Sequence, residues 1–350
     1  MFKSAIIGCG NIGPHHAKCY KSTTEIQLAA VVDIVEEKAK KLGEEHGVPY
    51  YTDFKKVLRR KDIDFIDICV PSGLHHKIAI AAARAGKHII SEKPMDVTPQ
   101  QCDKMIRAFA KYGTTYGGIV QHRFADDTKR TKAAIDAGRL GRLTMVYCNT
   151  PWYRSQEYYD SGNWRGTWNL DGGGCLMNQG IHAIDLLVWL AGPIKTVWAR
   201  TAMMAHERIE VEDVAVATVE FAGGALGVIM GSTASFPGSP VLHQITGTLG
   251  TIYLEDDRVT RWLIKDELDA GKGPGKATEE AGPSASTQWS GLATDIFVHN
   301  IDEIARAVRE GRQPLTCGEE HRKAVEVICA IYKSAKTGKP VTLPLKSFRP

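Results

Sequence analysis

No apolar run in this 350-residue chain approaches the roughly 20 consecutive apolar residues that a membrane span needs, and MFKSAIIGCG enters a strand and a glycine turn at once. We therefore expect a cytoplasmic protein without membrane contacts. Eight cysteines contain no CxxC pair, and most sit in apolar runs such as DFIDICV, which excludes a disulfide framework and points to free buried thiols. There is no HExxH and no cysteine at ligand spacing, so no metal site is expected. An excess of charge is lacking too: 44 Lys and Arg face 40 Asp and Glu, a net charge of +4. The densest basic run, Lys55, Lys56, Arg59, Arg60 and Lys61, has acids close by and reads as a solvated helix face, so nucleic acid is not an expected partner. No internal repeat is visible.

What is present is a rhythm. A chain of this length predicts two domains. From residue 2 to about 120, short β-rich runs (FKSAII, IQLAAVV, DFIDICV, KHII, TTYGGIV) alternate with helical stretches such as EEKAKKLGEEH and QQCDKMIRAFAKYG. That order predicts an α/β fold with a doubly wound parallel sheet over residues 1–121. Beyond it the order becomes a helix near 126–137, the strand LTMVYCN, an aromatic loop, another helix and then consecutive strands to VTRWLI. This predicts a C-terminal α+β domain, 122–350, with a large open mixed or antiparallel sheet, its tail packing back on the N-terminal domain. Residues 266–290, rich in Gly, Pro, Ala and Ser, read as a mobile loop.

The first chemical signal is AIIGCGNIGPHH, a GxGxxG turn between a strand and a helix. Gly8, Gly10 and Gly13, with Asn11 and Ile12 between them, would let a pyrophosphate approach the backbone, where a helix N-terminus stabilises its charge. Asp33 ends the next strand, 20 residues beyond Gly13, where a carboxylate can accept from both ribose hydroxyls and would repel a 2′-phosphate; NAD is the expected cofactor. In CVPSGLHH, Ser72 and His75 lie at a sheet carboxyl edge and are expected to line the cofactor, with a helix cap as the alternative for Ser72. Glu92, Lys93 and Pro94 follow the strand KHIIS; a lysine beside a nicotinamide would stabilise a hydroxyl that is losing its proton, and a plain surface turn is the alternative. In GGGCLMNQGIHAIDLL, Asn178, His182 and Asp185 are spaced to share one helix face, and the glycines before them would let backbone press against a sugar or a nicotinamide ring.

GCGNIG, SEKP and GGGxLxxxGxHxxD together resemble the glucose-fructose oxidoreductase, inositol dehydrogenase and rhizopine-catabolism (Gfo/Idh/MocA) family over essentially the whole chain. The resemblance implies an NAD-dependent oxidoreductase acting on a secondary hydroxyl of a sugar, cyclitol or sugar derivative. It implies that Lys93 is catalytic, that its bond to Pro94 is cis, and that Glu92 lies near the nicotinamide ribose. His182 would take or return the hydroxyl proton, with Asp185 in support, while Gln121 touches the cofactor and His122 faces the substrate. Arg123 reads as either a substrate neighbour or a structural ion pair. Many family members carry Asp where this chain has Asn178, which can orient a hydroxyl but cannot share the proton, and Asn keeps UDP-sugar uronates among the substrates. In the loop TPWYRSQEYYDSGNWRGTWNLD, Trp164 and Arg165 are expected near the nicotinamide and Tyr153 and Arg154 near the substrate; a loop anchored in the core or at a subunit contact is an equal reading. The resemblance further implies a homodimer or homotetramer built on the open sheet. Two other functions stay in play: an enzyme that retains NAD and uses transient oxidation for epimerisation or glycoside cleavage, and a non-catalytic dinucleotide sensor.

Overall fold

The computed structural model describes residues 1–270, 294–345 and 347–349, so most of the segment expected to be a mobile loop lies outside the described residues. The described chain forms two compact units, residues 1–121 with 294–322, and residues 122–270 with 323–349.

In the first unit six strands, β1 (Phe2–Ile7), β2 (Ile26–Val32), β3 (Tyr50–Tyr51), β4 (Phe65–Ile68), β5 (His88–Ser91) and β6 (Tyr116–Gly118), make a sheet in the order β3-β2-β1-β4-β5-β6. Every pairing is parallel. Parallel strands covered on both faces read as unbroken apolar runs rather than alternating ones, and all four residues of β4 are buried. Ile6, Phe65, Ile66, Ile89 and Ile90 form its fully buried centre. The strand order reverses between β1 and β4, which opens a crevice at their carboxyl ends; the glycine turn and Ser72 stand there.

The return of residues 294–322 to this unit was not legible as such. Its basis is the pair of glycines in β6: a Cβ on Gly117 would lie 2.5 Å from the Ile304 side chain, and one on Gly118 2.1 Å from the His321 ring. Asn300 and Asp302 complete the join. The Val120 N–H donates to the Asn300 side chain at 2.9 Å. The Asp302 carboxylate accepts from the Thr24 N–H at 3.0 Å, the Thr24 hydroxyl at 2.9 Å and the Glu25 N–H at 3.1 Å.

The second unit is built on an eight-stranded sheet of β7 (Leu143–Pro151), β8 (Ile194–Ala202), β9 (Val214–Phe221), β10 (Leu226–Ser232), β11 (Leu242–Gly247), β12 (Gly250–Glu255), β13 (Arg258–Ile264) and β14 (Val341–Thr342). Their order is β13-β12-β11-β7-β10-β9-β8-β14, antiparallel except for β7 with β10. One face is covered by the helix Ile181–Ala191, which packs on β7 and β11. The other keeps Met145, Trp198, Val216 and Leu226 exposed. Near the C-terminus β14 pairs with β8, and the Leu345 N–H donates to the Glu326 carboxylate at 2.8 Å, both within the second unit. A strand end with free N–H groups found its partner at the open edge of the second sheet. All eight cysteines are free, seven of them buried, and burial pushes the Cys9 and Cys148 thiols up to about 12. Among the described residues no helix is long and apolar enough to cross a membrane.

The Asp302 cluster has a measurable consequence. Asp302→Ala strands partly buried donors, which costs about 2 kcal/mol, and for a unit of this size the melting temperature falls by roughly 4–8 °C in scanning calorimetry. An unchanged melting temperature would show that the join does not depend on that carboxylate.

Candidate active site

In the first unit the three motif glycines are constrained in two different ways. Gly8 has φ +106°, and a Cβ on it would lie 2.3 Å from the Cys69 carbonyl; one on Gly13 would lie 2.1 Å from the Gly8 carbonyl. Those two positions are closed by the protein's own backbone. Around Gly10, by contrast, a Cβ meets no atom within 4 Å. This open face at the start of the helix Gly13–Cys19 leaves room for a pyrophosphate to approach the backbone, and Asn11 and Ile12 complete the turn. Asp33 leans over it, accepting from the Cys9 N–H at 2.7 Å and the Val35 N–H at 2.9 Å. The residues present therefore fit a bound dinucleotide, with the turn on its phosphates and Asp33 on a ribose.

Ser72 is buried and opens a short 3-10 turn, Ser72–Leu74; the helix His75–Arg84 is preceded by Leu74, so Ser72 does not cap it. His75 has its Nδ1 2.9 Å from the Pro94 carbonyl and its Nε2 2.9 Å from the Val70 carbonyl. Both ring nitrogens are thus engaged with backbone, and His75 ties the Ser72 turn to the Lys93–Pro94 turn. The bond between Lys93 and Pro94 is cis. Glu92 is buried, with Oε1 3.0 Å from His16 Nε2 and Oε2 accepting from the Lys93 N–H at 3.1 Å. Gln121, also buried, begins the turn Gln121–Phe124.

In the second unit the expectation of one continuous α-helix through GGGCLMNQGIHAIDLL needs correction. Cys175–Gly180 is a π-helical turn, and the α-helix begins at Ile181. Wider spacing within the π turn changes where Asn178 points, and such turns concentrate at functional sites. The Asn178 amide donates to the Asp171 carboxylate at 2.6 Å, whose other oxygen accepts from the Gly166 N–H at 2.8 Å. The space expected beside the glycines for a sugar or a nicotinamide is filled by protein at two of the three: a Cβ on Gly173 would lie 2.2 Å from the Tyr332 hydroxyl, and one on Gly174 1.7 Å from the Glu212 carbonyl. Glu212, fully enclosed, accepts from the Gly174 N–H at 2.9 Å, the Leu176 N–H at 3.0 Å and the Tyr332 hydroxyl at 2.8 Å. Burial raises its pKa above the ordinary value even against those donors.

His182 is half-buried, its ring edge-on to that of His122 with centroids 4.8 Å apart. His122 Nδ1 bonds to the Asp257 carboxylate. Burial alone would lower the His122 pKa, but the charge and hydrogen bond of Asp257, helped by Asp256 and Asp185, raise it. Asp185 is not a free supporting acid: it holds Arg123 by two bonds of 2.8 and 2.7 Å, both residues buried, which is the structural ion-pair reading of Arg123.

The aromatic loop is stacked on itself. The Arg165 guanidinium lies 4.1 Å from the Tyr158 ring centroid and 4.6 Å from that of Trp164, and donates to the Tyr158 hydroxyl at 2.6 Å. Arg154 sits over Trp152 and Tyr158, and burial lowers its pKa. Tyr153 packs edge-on against Phe236 and bridges to Ala234. Sequence reasoning missed Asp171, Glu212 and Asp257, the acids that hold these motifs. Asp171 adjoins the triple glycine and Glu212 stands in the acidic run EVED, which are the only signals they carry.

Comparison with known proteins agrees with this division. Residues 2–118 match the model described as the oxidoreductase family, NAD-binding Rossmann fold, and residues 128–253 match the GFO/IDH/MocA C-terminal domain. The chain is similar to the WlbA dehydrogenase from Bordetella pertussis, solved in complex with NADH and UDP-GlcNAcA: 31% identity over 99% of both chains, TM-score 0.85. It is 24% identical to the myo-inositol 2-dehydrogenase of Thermotoga maritima over 97% of each chain. To the D-glucoside 3-dehydrogenase of Escherichia coli it is 29% identical, over 63% of this chain and 67% of that one.

Because a Cβ on Gly10 touches no protein atom, Gly10→Ala leaves circular dichroism and melting temperature as they are. The same methyl stands where a pyrophosphate would approach, so NADH affinity measured by fluorescence titration falls at least about tenfold. Unimpaired binding would remove the turn from the cofactor site.

Proposed function

Since the chain belongs to the Gfo/Idh/MocA family of oxidoreductases, we propose that it is an NAD-dependent dehydrogenase acting on a secondary hydroxyl of a sugar, cyclitol or sugar derivative. The observation that carries the cofactor side is the glycine turn open only at Gly10, with Asp33 fixed over it. When bound, NAD supplies the hydride acceptor. Gly8, Gly10, Asn11, Ile12, Gly13 and Asp33 hold it, with Ser72, Gln121, Trp164 and Arg165 as further neighbours.

The chain's own residues supply the proton chemistry. The Lys93 ammonium stabilises the oxygen of the reacting hydroxyl as its proton leaves. A ring nitrogen of His182 receives that proton, a task suited to an imidazole near neutral pH. Asn178, oriented by Asp171, positions the substrate, and His122, Tyr153 and Arg154 line its site. Two relatives are named for an inositol and a glucoside, and a third was solved with UDP-GlcNAcA bound, which supports a substrate of that range for this chain.

We also propose a homo-oligomer in the cytoplasm. Met145 and Leu226 are direct partners across β7 and β10, and they share the uncovered sheet face with Val216 and Trp198. An apolar strip of that kind marks an interface.

Lys93→Ala and His182→Ala each reduce kcat by at least roughly a hundredfold while NADH binding persists. The assay follows NADH formation over inositols, aldoses, uronates, glycosides and UDP-sugars. Near-normal turnover in either variant removes its assigned role, and product without released NADH would identify an enzyme that retains its cofactor. In sedimentation the native chain runs as a dimer or tetramer at micromolar concentration and Met145→Glu/Leu226→Glu as a monomer; a monomeric native chain excludes the interface.

A further inference from the structure

Beneath the glycine turn lies a group of buried charges that the proposed reaction does not use. His16, on the helix Gly13–Cys19, is fully buried; its Nδ1 lies 2.8 Å from Asp67 Oδ2 on β4 and its Nε2 3.0 Å from Glu92 Oε1. Asp67, also fully buried, accepts from the Tyr20 hydroxyl at 2.9 Å and from the Cys69 thiol at 3.7 Å as well. Tyr20 is 2.9 Å from Ser4 on β1. His16, Asp67 and Cys69 are the one set of His, Cys and acid atoms among the described residues close enough to hold a metal ion. Every contact in the set pairs a donor with an acceptor, which makes it a proton-bonded network.

Two carboxylates this deep need positive charge between them. Burial by itself would lower the His16 pKa, and the Asp67 charge and hydrogen bond, joined by Cys69, hold it well above the ordinary value. Burial would likewise raise Glu92, and the hydrogen bond and charge of His16, with Lys93, bring it below its ordinary value. The other titratable groups packed around His16 are His15, Cys19 and Tyr20. His16 is therefore an imidazolium that donates at both nitrogens. One oxygen of Glu92 is taken by that imidazolium and the other by the Lys93 N–H.

We propose that His16 is a positioning residue: by gripping Glu92 Oε1 against Asp67 it fixes the Glu92–Lys93–Pro94 turn, and so places the Lys93 side chain without touching substrate itself. The glycine-turn helix, β4 and the end of β5 are locked through one ring. The inference rests on the role proposed for Lys93.

The test is a double-mutant cycle. His16→Asn retains a donor near the Nδ1 position and loses the bond to Glu92. We expect its kcat to fall at least about tenfold with the NADH dissociation constant within about threefold of native. Tyr20→Phe, which cuts only the far end of the network, lowers the melting temperature and leaves kcat within about threefold. In a Glu92→Gln background, adding His16→Asn changes kcat by less than about threefold, because the residue through which His16 acts is already gone. That double variant removes the Glu92 charge along with that of His16 and leaves one buried carboxylate, Asp67, where His16→Asn alone leaves two, so it is the less destabilised of the pair. A further tenfold loss in the Glu92→Gln background, native kcat in His16→Asn, or kcat losses that follow melting temperature in Tyr20→Phe as well would overturn the proposal. If Lys93→Ala is itself active, the functional reading fails; if Lys93→Ala is inactive and the cycle is additive, only the role of His16 fails.

Discussion

A carboxylate removed from water must be ringed by donors, and this chain uses that requirement to shape nearly every motif it carries. Asp33 gathers the N–H groups of Cys9 and Val35 and so closes the glycine turn against the next strand. Glu212 gathers those of Gly174 and Leu176 and pins the start of the π turn. Asp171 holds Gly166 and Asn178 together, and Glu92 holds the Lys93 backbone. In each case the acid sets the backbone or the amide in place. Removing one of the buried three, Asp171, Glu212 or Glu92, strands its donors in a dry site, which costs more than the bond itself, whereas the donors of the half-buried Asp33 can turn to water.

The same logic separates two kinds of glycine that look alike in one-letter code. Gly8, Gly13, Gly173 and Gly174 are glycines because the protein's own atoms occupy the place of a Cβ. Gly10 is surrounded by open space, so no atom of the described chain accounts for its lack of a side chain, and the room beside it is what the proposed cofactor site uses. Spacing alone cannot make this distinction, which is why the triple glycine before Asn178 resembles a ligand surface in the sequence and is a packing device in the fold.

Much of the fold was legible because it is local. Strands of four to nine residues with apolar runs, and the glycine turn between β1 and its helix, are decided by neighbours a few residues away. The residues of the proposed site, His182, Lys93 and Asp33 among them, stand out in the sequence by type, but the partners of such residues do not. His122 finds Asp257 across 135 positions, Arg123 finds Asp185 across 62, and His16 finds Glu92 across 76. Pairings of that range are created by topology, and no periodicity reports them. The π turn escaped for a different reason, since its extra residue per turn leaves an apolar pattern close to that of an α-helix. The return of residues 294–322 to the first unit depended on flat glycines in β6, which in the sequence look like a weak strand rather than a docking surface.

That return has a practical corollary for anyone cutting the gene. Each unit is assembled from two stretches of chain, so a fragment ending near residue 121 would leave β6 without Ile304 and His321, and Thr24 without Asp302. Its complement, starting at 122, would carry a helix with Phe297 and Ile301 turned to water. The two halves therefore cannot be swapped between relatives at a single junction; an exchange that preserves both cores needs three, with the segment 294–322 travelling alongside the N-terminal part.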